Sequence, residues 1–458
     1  MNKSNPTSIN RRKFIATTGM GVALFNILPG GLLAGTRSLN DKLNVAGIGI
    51  GSRGGADVGE VAGLGHNIVA LCDVDENYAA KEFAKYPNAK RFTDYRVMFD
   101  KMGKGIDGVV IGTPDHTHAI IAMEAMRRGK HVYCEKPLAH SVYEVRKLMA
   151  AAHKYKVVTQ LGNQGHSSDT IRRLCEWVWA GAIGQVHTVH ASCDAFKNVY
   201  CQIPNLGKVG EKHEVPKGLD YDLWLGPVEF RPYSPLWVPW NWRGWMHFGG
   251  GVIGDWICHV LDPAYWALDL DAPTSIKAEV TDYDPDPAKQ GLTYPSATRI
   301  TFEFPAKKTR GPVKVVWHDG NNPIPKPTDF PADEKIPGTG AILFGDKGMI
   351  VHGSHGGGGC HILPENLMEQ YSGKNAPSEK IPRIKGHAWD WADAIINGRK
   401  AGSNFAYGGP LTQVALLGLI AIRFPGQTLN WNDKAMRFTN NDAANACIKP
   451  AYRKGWKL

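Results

Sequence analysis

Three short motifs in this chain place ionisable side chains where an enzyme could use them. Residues 113–118 (Thr-Pro-Asp-His-Thr-His) follow one predicted strand, and residues 135–137 (Glu-Lys-Pro) follow the next. Far downstream, Asp255 and His259 lie four positions apart, so on a helix they share one face. Lys136 lies at the carboxyl end of a strand, where open α/β sheets bind ligands. Each motif alone is common on ordinary structural surfaces, but their joint occurrence indicates a catalytic centre.

A glycine motif indicates what this centre would bind. Residues 49–54 (Gly-Ile-Gly-Ser-Arg-Gly) follow a predicted strand and open a helix, and Asp73 ends the next strand. This context is the one that a dinucleotide fingerprint requires, with the glycines and the helix start receiving the pyrophosphate. Asp73 would accept hydrogen bonds from the adenosine ribose and repel a 2′-phosphate, which favours NAD over NADP. Arg53 is the residue that could reverse this preference, and a nucleotide-free Rossmann domain is the alternative.

The elements that must position these motifs alternate between apolar strands and helices in the first part of the chain. Continuous apolar strands with intervening helices predict a doubly wound parallel sheet covered on both faces. The predicted strands are residues 43–49, 68–73, 108–112, 131–135 and 157–162, and the predicted helices are 54–64 and 119–128. We therefore expect a Rossmann domain over residues 42–162.

The second part of the chain has a different pattern. Strands with alternating polarity indicate an antiparallel sheet with one solvated face. The predicted strands are residues 186–191, 275–280, 297–304 and 313–317, the helices 387–397 and 411–423, and the loops 321–340 and 353–359. Residues 163–458 are predicted to form an α+β domain with a large, mostly antiparallel open sheet. The overall fold class is α/β.

Composition and charge narrow the class of protein. A chain of 458 residues with 43% hydrophobic and 21% charged residues is that of a globular protein with more than one core. The formal net charge of +10 includes Lys3, Arg11, Arg12 and Lys13 of the N-terminal segment, and no later stripe of Lys and Arg follows. Nucleic-acid binding is therefore not expected.

The N-terminal segment resembles a twin-arginine export signal. Arg11 and Arg12 precede an apolar, glycine-rich run that is short for a membrane span and contains Pro29. Residues 1–35 are predicted to be a signal peptide that is cleaved, at a site that no clear Ala-x-Ala motif marks, which leaves no stable membrane anchor. The expected location is the periplasm or another site outside the cytoplasm. A frayed terminus or a retained anchor is the alternative.

The order of these motifs strongly resembles the glucose–fructose oxidoreductase / inositol dehydrogenase family (Gfo/Idh/MocA), from residue 43 to residue 458. The segments 404–407 and 452–456 resemble its exported bacterial branch. The resemblance implies that Lys136, Asp255 and His259 line the nicotinamide and the substrate, and that the protein forms a homodimer or homotetramer. It implies cofactor contacts at Gly49, Gly51, Ser52, Arg53, Gly54, Asp73, Thr113, Pro114, Asp115, His118, Glu135, Lys136 and Asn163.

These residue types suit the oxidation of a secondary alcohol, which loses a hydroxyl proton and a hydride. His259, with an ordinary pKa near ~6.5, can accept the proton, and Lys136 can stabilise alkoxide charge. Either residue could be the base, and Asp255 could orient His259 or bind a substrate hydroxyl. Flat aromatic side chains suit sugar faces, so we assign Trp242 and Trp245 to the substrate, although core packing is their alternative role. His166 is a further candidate ligand of a substrate hydroxyl.

The expected function is oxidation of a sugar or glycoside by tightly bound NAD, because an exported enzyme has no free pool of cofactor. Two alternatives are a glycoside hydrolase that acts by transient oxidation and elimination, and a non-catalytic sugar-binding protein. No metal site is expected, because no ligand cluster has convincing spacing.

Overall fold

The computed structural model describes residues 42–195, 197–283, 292–328 and 330–458, all within one compact unit of the chain. The predicted signal peptide at residues 1–35 lies outside the described residues. Two sheets organise the described part of the chain, one with six strands and one with nine.

The first sheet is fully parallel, and its strands are buried on both faces. In chain order the strands are β1 (Asn44–Ile48), β2 (Asn67–Cys72), β3 (Lys90–Phe92), β4 (Gly108–Ile111), β5 (His131–Cys134) and β6 (Thr159–Leu161). They lie in the order β3-β2-β1-β4-β5-β6, so the direction of winding reverses between β1 and β4. Ligands bind at the carboxyl edge of such a sheet, beside this reversal. The predicted doubly wound Rossmann sheet is confirmed.

The helices that connect these strands are α1 (Arg53–Gly63), α2 (Ala80–Lys85), α3 (Tyr95–Met102), α4 (Asp115–Arg127) and α5 (Val142–Tyr155). Helix α4 begins four residues before the predicted start at residue 119. Its first residue, Asp115, is an acidic side chain at a helix N-terminus, where the helix dipole stabilises negative charge. The polar first turn hid this start from a search for apolar periodicity.

The second sheet is mostly antiparallel, as predicted. Its strands are β7 (Val186–Cys193), β8 (Ser275–Thr281), β9 (Ala297–Phe304), β10 (Val313–Asp319), β11 (Gly340–Gly345), β12 (Met349–Gly353), β13 (His361–Leu363), β14 (Thr428–Asn432) and β15 (Arg437–Phe438). The order is β13-β12-β11-β7-β10-β9-β8-β14-β15, and within the described residues β7 and β10 form its parallel pair. The strands β11 to β15 had no counterpart in the sequence-based prediction.

The remaining helices are α6 (Asp169–Trp179), α7 (Lys197–Tyr200), α8 (Tyr221–Leu225), α9 (Gly251–Val260), α10 (Asp262–Ala267), α11 (Ser354–Gly357), α12 (Glu365–Glu369), α13 (His387–Asn397), α14 (Phe405–Ile422) and α15 (Asp442–Ala446). Helix α13 has its predicted bounds. Helix α14 starts at Phe405, six residues before the predicted start at residue 411. Asn404 caps this start, and Pro410 lies inside the helix.

Helix α14 is the one helix among the described residues that is long and apolar enough to cross a membrane. In the structure 83% of its apolar window is buried against the rest of the protein. It packs against α5, α9 and β8, where it joins the Rossmann sheet to the antiparallel sheet. Its composition therefore reflects a position in the core.

A separate apolar cluster, the aromatic cap (residues 219–248), lies over the carboxyl edge of the Rossmann sheet. Its core includes Tyr221, Trp224, Trp237, Trp242, Trp245 and Phe248. The Asp220 amide donates to the Val74 carbonyl at 2.8 Å, which attaches the cap to the loop after β2. The ring nitrogens of His116 in α4 lie 2.9 Å and 3.3 Å from the carbonyl oxygens of Trp224 and Phe248. Both ends of the cap are thus fixed to the Rossmann domain.

Candidate active site

A cleft runs between the carboxyl edge of the Rossmann sheet and the aromatic cap. The loops after β2 and β3 form one end, which we call the adenosine end and which contains Asp73, Asp94 and Tyr95. The loop after β5 and helix α9 form the opposite end, the reaction end, which contains Lys136 and Asp255. The two groups of sequence-predicted residues therefore face one cavity.

The glycine motif forms a backbone cradle between these ends. Gly49 has φ +74°, and a Cβ added there would lie 2.5 Å from the Thr113 side chain. A Cβ on Gly54 would lie 2.0 Å from the Gly49 carbonyl oxygen, and a Cβ on Gly51 would lie 2.1 Å from the Tyr78 ring. Only glycine allows this close approach. Ser52 follows Gly51 at the start of α1, so the cradle fits the pyrophosphate of a dinucleotide.

Asp73 is fixed by the same loop. One carboxylate oxygen accepts hydrogen bonds from the amides of Ile50 at 2.7 Å and Gly51 at 3.1 Å, and the other accepts from the Asp75 amide at 3.0 Å. Burial raises the pKa of Asp73 to about 6, against these hydrogen bonds, which lower it. The carboxylate is therefore ionised at neutral pH at the end of β2, where the ribose of a dinucleotide is bound.

Arg53 does not offer its charge to a 2′-phosphate. Its guanidinium lies 2.6 Å from the Asp57 carboxylate, 3.3 Å from Glu60 and 3.5 Å from Glu135. Three carboxylates thus engage the one residue that could have favoured NADP. The geometry is that of a site for NAD.

The reaction end is a hydrogen-bonded network centred on Asp255. Lys136 Nζ donates to one carboxylate oxygen and, at 3.0 Å, to the Asp255 carbonyl. The Tyr200 hydroxyl donates to the other carboxylate oxygen, and Arg243 Nε lies 3.5 Å from it. Burial alone would raise the pKa of Asp255, but the charges of Lys136 and Arg243 outweigh it and lower the pKa well below its ordinary value. Asp255 is an ionised, fully engaged carboxylate.

This network keeps Lys136 charged. Burial lowers the pKa of its ammonium, but the carboxylates of Asp255 and Glu135 outweigh that effect, so the net pKa is raised. An ammonium has three N–H donors, and two of them are directed to Asp255. The third can be donated to a ligand oxygen in the cleft. Lys136 is therefore arranged as a hydrogen-bond donor.

Arg243 is held between two indole rings of the aromatic cap. Its guanidinium carbon lies 4.0 Å from the centre of the Trp240 ring and 4.2 Å from that of Trp242. Nη1 also donates to the Trp240 carbonyl at 3.1 Å. Cation–π contacts with two indoles restrict the position of the guanidinium. All three side chains line the cleft.

His118 and Asp115 hold the loops around the reaction end. The ring nitrogens of His118 each lie 2.8 Å from a carbonyl oxygen, one of Thr113 and one of Pro137, so the imidazole joins the loops after β4 and β5. Asp115 accepts a hydrogen bond from the Gly250 amide at 3.0 Å. Burial, and then the negative charge of Asp255, raises the pKa of Asp115 to about 8. Pro114 and Glu135 also line the cleft.

His259 lies one helical turn beyond Asp255 and is not among the residues that line the cleft. Its ring stacks on His355 with a centroid distance of 4.1 Å, and its buried Nδ1 has no hydrogen-bond partner among the described residues. Burial, followed by the charge of Lys136, lowers the pKa of His259 well below its ordinary value, so the imidazole is neutral. Asp255 bonds to Lys136 and Tyr200 and makes no hydrogen bond to His259 in the described structure.

Asn163, His166 and Trp245, like His259, are not among the residues that line the cleft. Asn163 is buried and bonds to Asp262 at 3.0 Å and Ser403 at 2.6 Å, and His166 is buried, with Nδ1 3.1 Å from Asp262. Trp245 is buried in the aromatic cap and donates to the Leu236 carbonyl at 2.9 Å. These contacts lie within the protein, and the expected contacts of the three residues with cofactor or substrate stay predictions. Trp242, in contrast, lines the cleft as expected.

The sequence analysis missed Tyr200, Arg243 and Trp456. Tyr200 lies in a short helix without a motif, and only the fold brings it to Asp255. Arg243 lies next to Trp242, which the sequence had assigned to the substrate, so this neighbour was the available signal. Trp456 lies in the C-terminal segment and lines the cleft nonetheless.

A dinucleotide cradle joined to a buried lysine–carboxylate pair defines an NAD-binding oxidoreductase with a Rossmann domain and a second α/β domain. The chain belongs to the Gfo/Idh/MocA oxidoreductase family. The family's NAD-binding Rossmann-fold domain matches residues 43–163, and its C-terminal alpha/beta domain matches residues 171–304, together more than half of the chain. The predicted family and the predicted cofactor, NAD, are confirmed. The predicted boundary between residues 162 and 163 and the homo-oligomer stay predictions.

Similar proteins include sugar and cyclitol dehydrogenases. The inositol 2-dehydrogenase of Salmonella typhimurium is 30% identical over 147 residues, which are 31% of this chain and 43% of that protein. The levoglucosan dehydrogenase of Pseudarthrobacter phenanthrenivorans is 26% identical over 199 residues, which are 43% of this chain and 42% of that protein. Each match therefore covers less than half of the relative.

Solved structures share the fold over most of the chain. The aldose-aldose oxidoreductase from Caulobacter crescentus, complexed with glycerol, has a TM-score of 0.55 and 18% identity over 85% of this chain and all (100%) of that chain. An inositol dehydrogenase homolog from Azotobacter vinelandii, complexed with NADH and myo-inositol, has a TM-score of 0.56 and 15% identity over 86% of this chain and 98% of that chain.

Proposed function

We propose that this protein oxidises a secondary alcohol of a sugar or glycoside and transfers the hydride reversibly to a tightly held NAD. The observation that carries the proposal is the network of Lys136, Asp255 and Tyr200, which opens into the same cleft as the dinucleotide cradle. The sugar and cyclitol dehydrogenases among the relatives support the substrate class.

NAD, when bound, supplies the hydride acceptor. In the proposed mechanism the free N–H of Lys136 is donated to the hydroxyl oxygen of the substrate and stabilises the alkoxide as the proton leaves. Asp255 keeps Lys136 charged and oriented, and Tyr200 keeps Asp255 in place. Lys136 stays protonated, so we propose that the hydroxyl proton passes to the neutral imidazole of His259, one helical turn beyond Asp255. Because His259 does not line the cleft, this transfer requires a water molecule between the substrate hydroxyl and the imidazole. The indole of Trp242 offers a flat apolar surface to the C–H face of the sugar ring.

The proposal can be tested on the purified full chain by its ultraviolet spectrum. The bound nucleotide is first identified after denaturation, and a panel of aldoses, ketoses and cyclitols is then added. NADH absorbance that rises with one sugar and falls when the corresponding ketone is added supports hydride transfer. A protein that holds NAD but shows no change with any member of the panel contradicts it. Release of the aglycone from a chromogenic glycoside, without accumulation of NADH, would instead indicate hydrolysis.

We also propose export through the twin-arginine route, on the strength of Arg11 and Arg12 and the apolar run after them. This route carries folded proteins, so the NAD would be loaded in the cytoplasm and regenerated within the site. Cell fractionation of a tagged full chain tests this proposal. A double change of Arg11→Lys and Arg12→Lys should retain the precursor in the cytoplasm, whereas unchanged location would contradict the route.

A further inference from the structure

The last residues of the chain, which we call the C-terminal strap (residues 447–458), cross the Rossmann domain. The Tyr143 amide of α5 donates to the Ile448 carbonyl at 3.1 Å, and the Tyr452 hydroxyl donates to the carboxylate of Glu144. Lys449 Nζ lies 4.9 Å from the centre of the Tyr143 ring. The start of the strap is therefore fixed to helix α5.

Arg453 fixes the next part of the strap to the aromatic cap. Its amide donates to the Pro227 carbonyl at 3.0 Å, and its Nε donates to the Gly226 carbonyl at 2.6 Å. The guanidinium also bonds to the carboxylate and, at 2.6 Å, to the carbonyl of Asp222. The strap thus follows the outer rim of the cleft.

Trp456 turns from this rim toward the cleft. Its amide donates to the Arg453 carbonyl at 3.2 Å, which forms a tight turn. The guanidinium carbon of Arg96, in the first turn of α3, lies 4.8 Å from the centre of the Trp456 ring. The indole is half-buried and lines the cleft together with Asp94 and Tyr95.

These neighbours place Trp456 at the adenosine end. Asp94 and Tyr95 follow β3, the outermost strand of the Rossmann sheet on that side, and Asp73 follows β2 next to it. Lys136 follows β5, on the other side of the reversal between β1 and β4. Suppose that Asp73 holds the adenosine ribose of a dinucleotide and that the nicotinamide reaches Lys136. The adenine of this dinucleotide must then point toward β3. A flat aromatic ring at that position faces a purine.

We propose that Trp456 is an adenine-binding residue, and that through it the C-terminal strap retains the dinucleotide. The indole stacks on the purine, an interaction available to any flat base, and the guanidinium groups of Arg96 and Arg453, 4.8 Å and 5.7 Å from the ring centre, hold the indole in place. The strap closes the end of the cleft that lies furthest from the chemistry. This inference depends on NAD binding and is independent of the identity of the sugar.

The test compares Trp456→Ala and Trp456→Phe with Trp179→Ala in the full chain. Trp179 is the matched control, because it is 42% exposed at the end of α6 and does not line the cleft. The dissociation rate of bound NAD is measured from the nucleotide that appears in the filtrate after dilution. Affinities for ADP-ribose and for nicotinamide mononucleotide are measured separately by calorimetry.

Trp456→Ala should speed NAD release and weaken ADP-ribose binding, each by about tenfold, because stacking on one base is lost. Trp456→Phe should restore most of the affinity, and Trp179→Ala should behave as the wild type. The affinity for nicotinamide mononucleotide should change in none of the variants.

Unchanged NAD release in Trp456→Ala would overturn the assignment. A loss of nicotinamide mononucleotide affinity, with ADP-ribose unaffected, would also overturn it, because Trp456 would then serve the other half of the cofactor. Thermal unfolding of each nucleotide-free variant checks that the fold is intact, and Arg96→Ala, which keeps the indole, provides a second variant if Trp456→Ala does not fold. Arg96→Ala should speed NAD release by a smaller factor, and an unchanged rate there would count against the proposal. All these measurements can succeed even if no sugar is oxidised.

Discussion

The adenosine end and the reaction end of the cleft are built in different ways. At the adenosine end, backbone amides of one tight turn and a single carboxylate, Asp73, come from neighbouring loops of one sheet. At the reaction end, side chains provide the chemistry, and Lys136 and Asp255 are 119 positions apart in the chain. The comparison shows that local structure builds the glycine cradle and Asp73, whereas tertiary structure brings the side chains of the reaction end together.

The largest expected effect is the loss of turnover when the Lys136 ammonium is removed from the reaction end. Lys136→Ala should lower kcat by about a hundredfold to a thousandfold, because one preorganised donor to the developing alkoxide is lost. NAD content after purification should stay at the wild-type level. Steady-state kinetics and nucleotide analysis measure the two quantities. Lys104→Ala, an exposed lysine in the same domain, is the control, and normal turnover in Lys136→Ala would remove Lys136 from the mechanism.

A change at the adenosine end should instead affect the binding of NAD. Asp73→Ala should weaken NAD binding by about ten- to a hundredfold, because charge-assisted hydrogen bonds to the ribose and the loop amides are lost. The preference for NAD over NADP should shrink at the same time, since the carboxylate no longer repels a 2′-phosphate. Calorimetry with both nucleotides measures this, with Asp100→Asn as an exposed control. An unchanged preference would show that Asp73 does not select the cofactor.

Arg243 tests whether the aromatic cap takes part in the reaction end. Arg243→Ala should lower kcat/KM by about tenfold. Asp255 loses one of its two cationic neighbours, and the indoles of Trp240 and Trp242 lose the guanidinium that they contact. Arg243→Lys should recover only part of this, since an ammonium cannot stack as a guanidinium does. Equal activity of the Lys variant and the wild type would show that charge alone matters. Arg127→Ala, on the exposed end of α4, is the control.

The last prediction concerns stability and its dependence on pH. The pKa of Asp115 is raised to about 8, so the folded protein retains a proton that the unfolded chain releases above about pH 4. The free energy of unfolding therefore falls between these pH values, by at most about 1.4 kcal/mol per pH unit. Asp115→Asn has no carboxyl group to titrate, so its free energy of unfolding does not fall for this reason. The difference in free energy of unfolding between Asp115→Asn and the wild type should therefore rise from pH 5 to pH 8 and then level off. Urea unfolding at several pH values tests this, and a constant difference would contradict the proposed protonation.

The same contrast explains how much the sequence could predict. The glycine motif, Asp73 and most Rossmann strands are local patterns, so the nucleotide cradle and the parallel sheet followed from the residues, whereas the short strand β3 and Trp456 did not. The strand from 297 to 304 and the helix from 387 to 397 were predicted with their observed bounds because their periodicity is regular. The family resemblance, in turn, directed attention to Lys136, Asp255 and His259.

The parts that were missed depend on distant partners. Tyr200 has no motif, and its role arises only because α7 packs beside α9. Asn163 and His166 follow the last Rossmann strand, as a cofactor contact would, but both bond to the buried Asp262, which no local pattern predicts. The helix predicted over residues 411–423 begins at Phe405 in the structure, and Pro410 lies inside it.

The parallel pairing of β7 with β10 has a consequence for how the protein folds. Lys314 of β10 lies opposite Thr188 of β7, so more than a hundred intervening residues must be placed before the centre of the nine-stranded sheet can close. Such long-range pairing slows folding, whereas the six parallel strands are completed within residues 44–161. We therefore expect the nucleotide-binding half to form early, as a template on which the slower half is assembled.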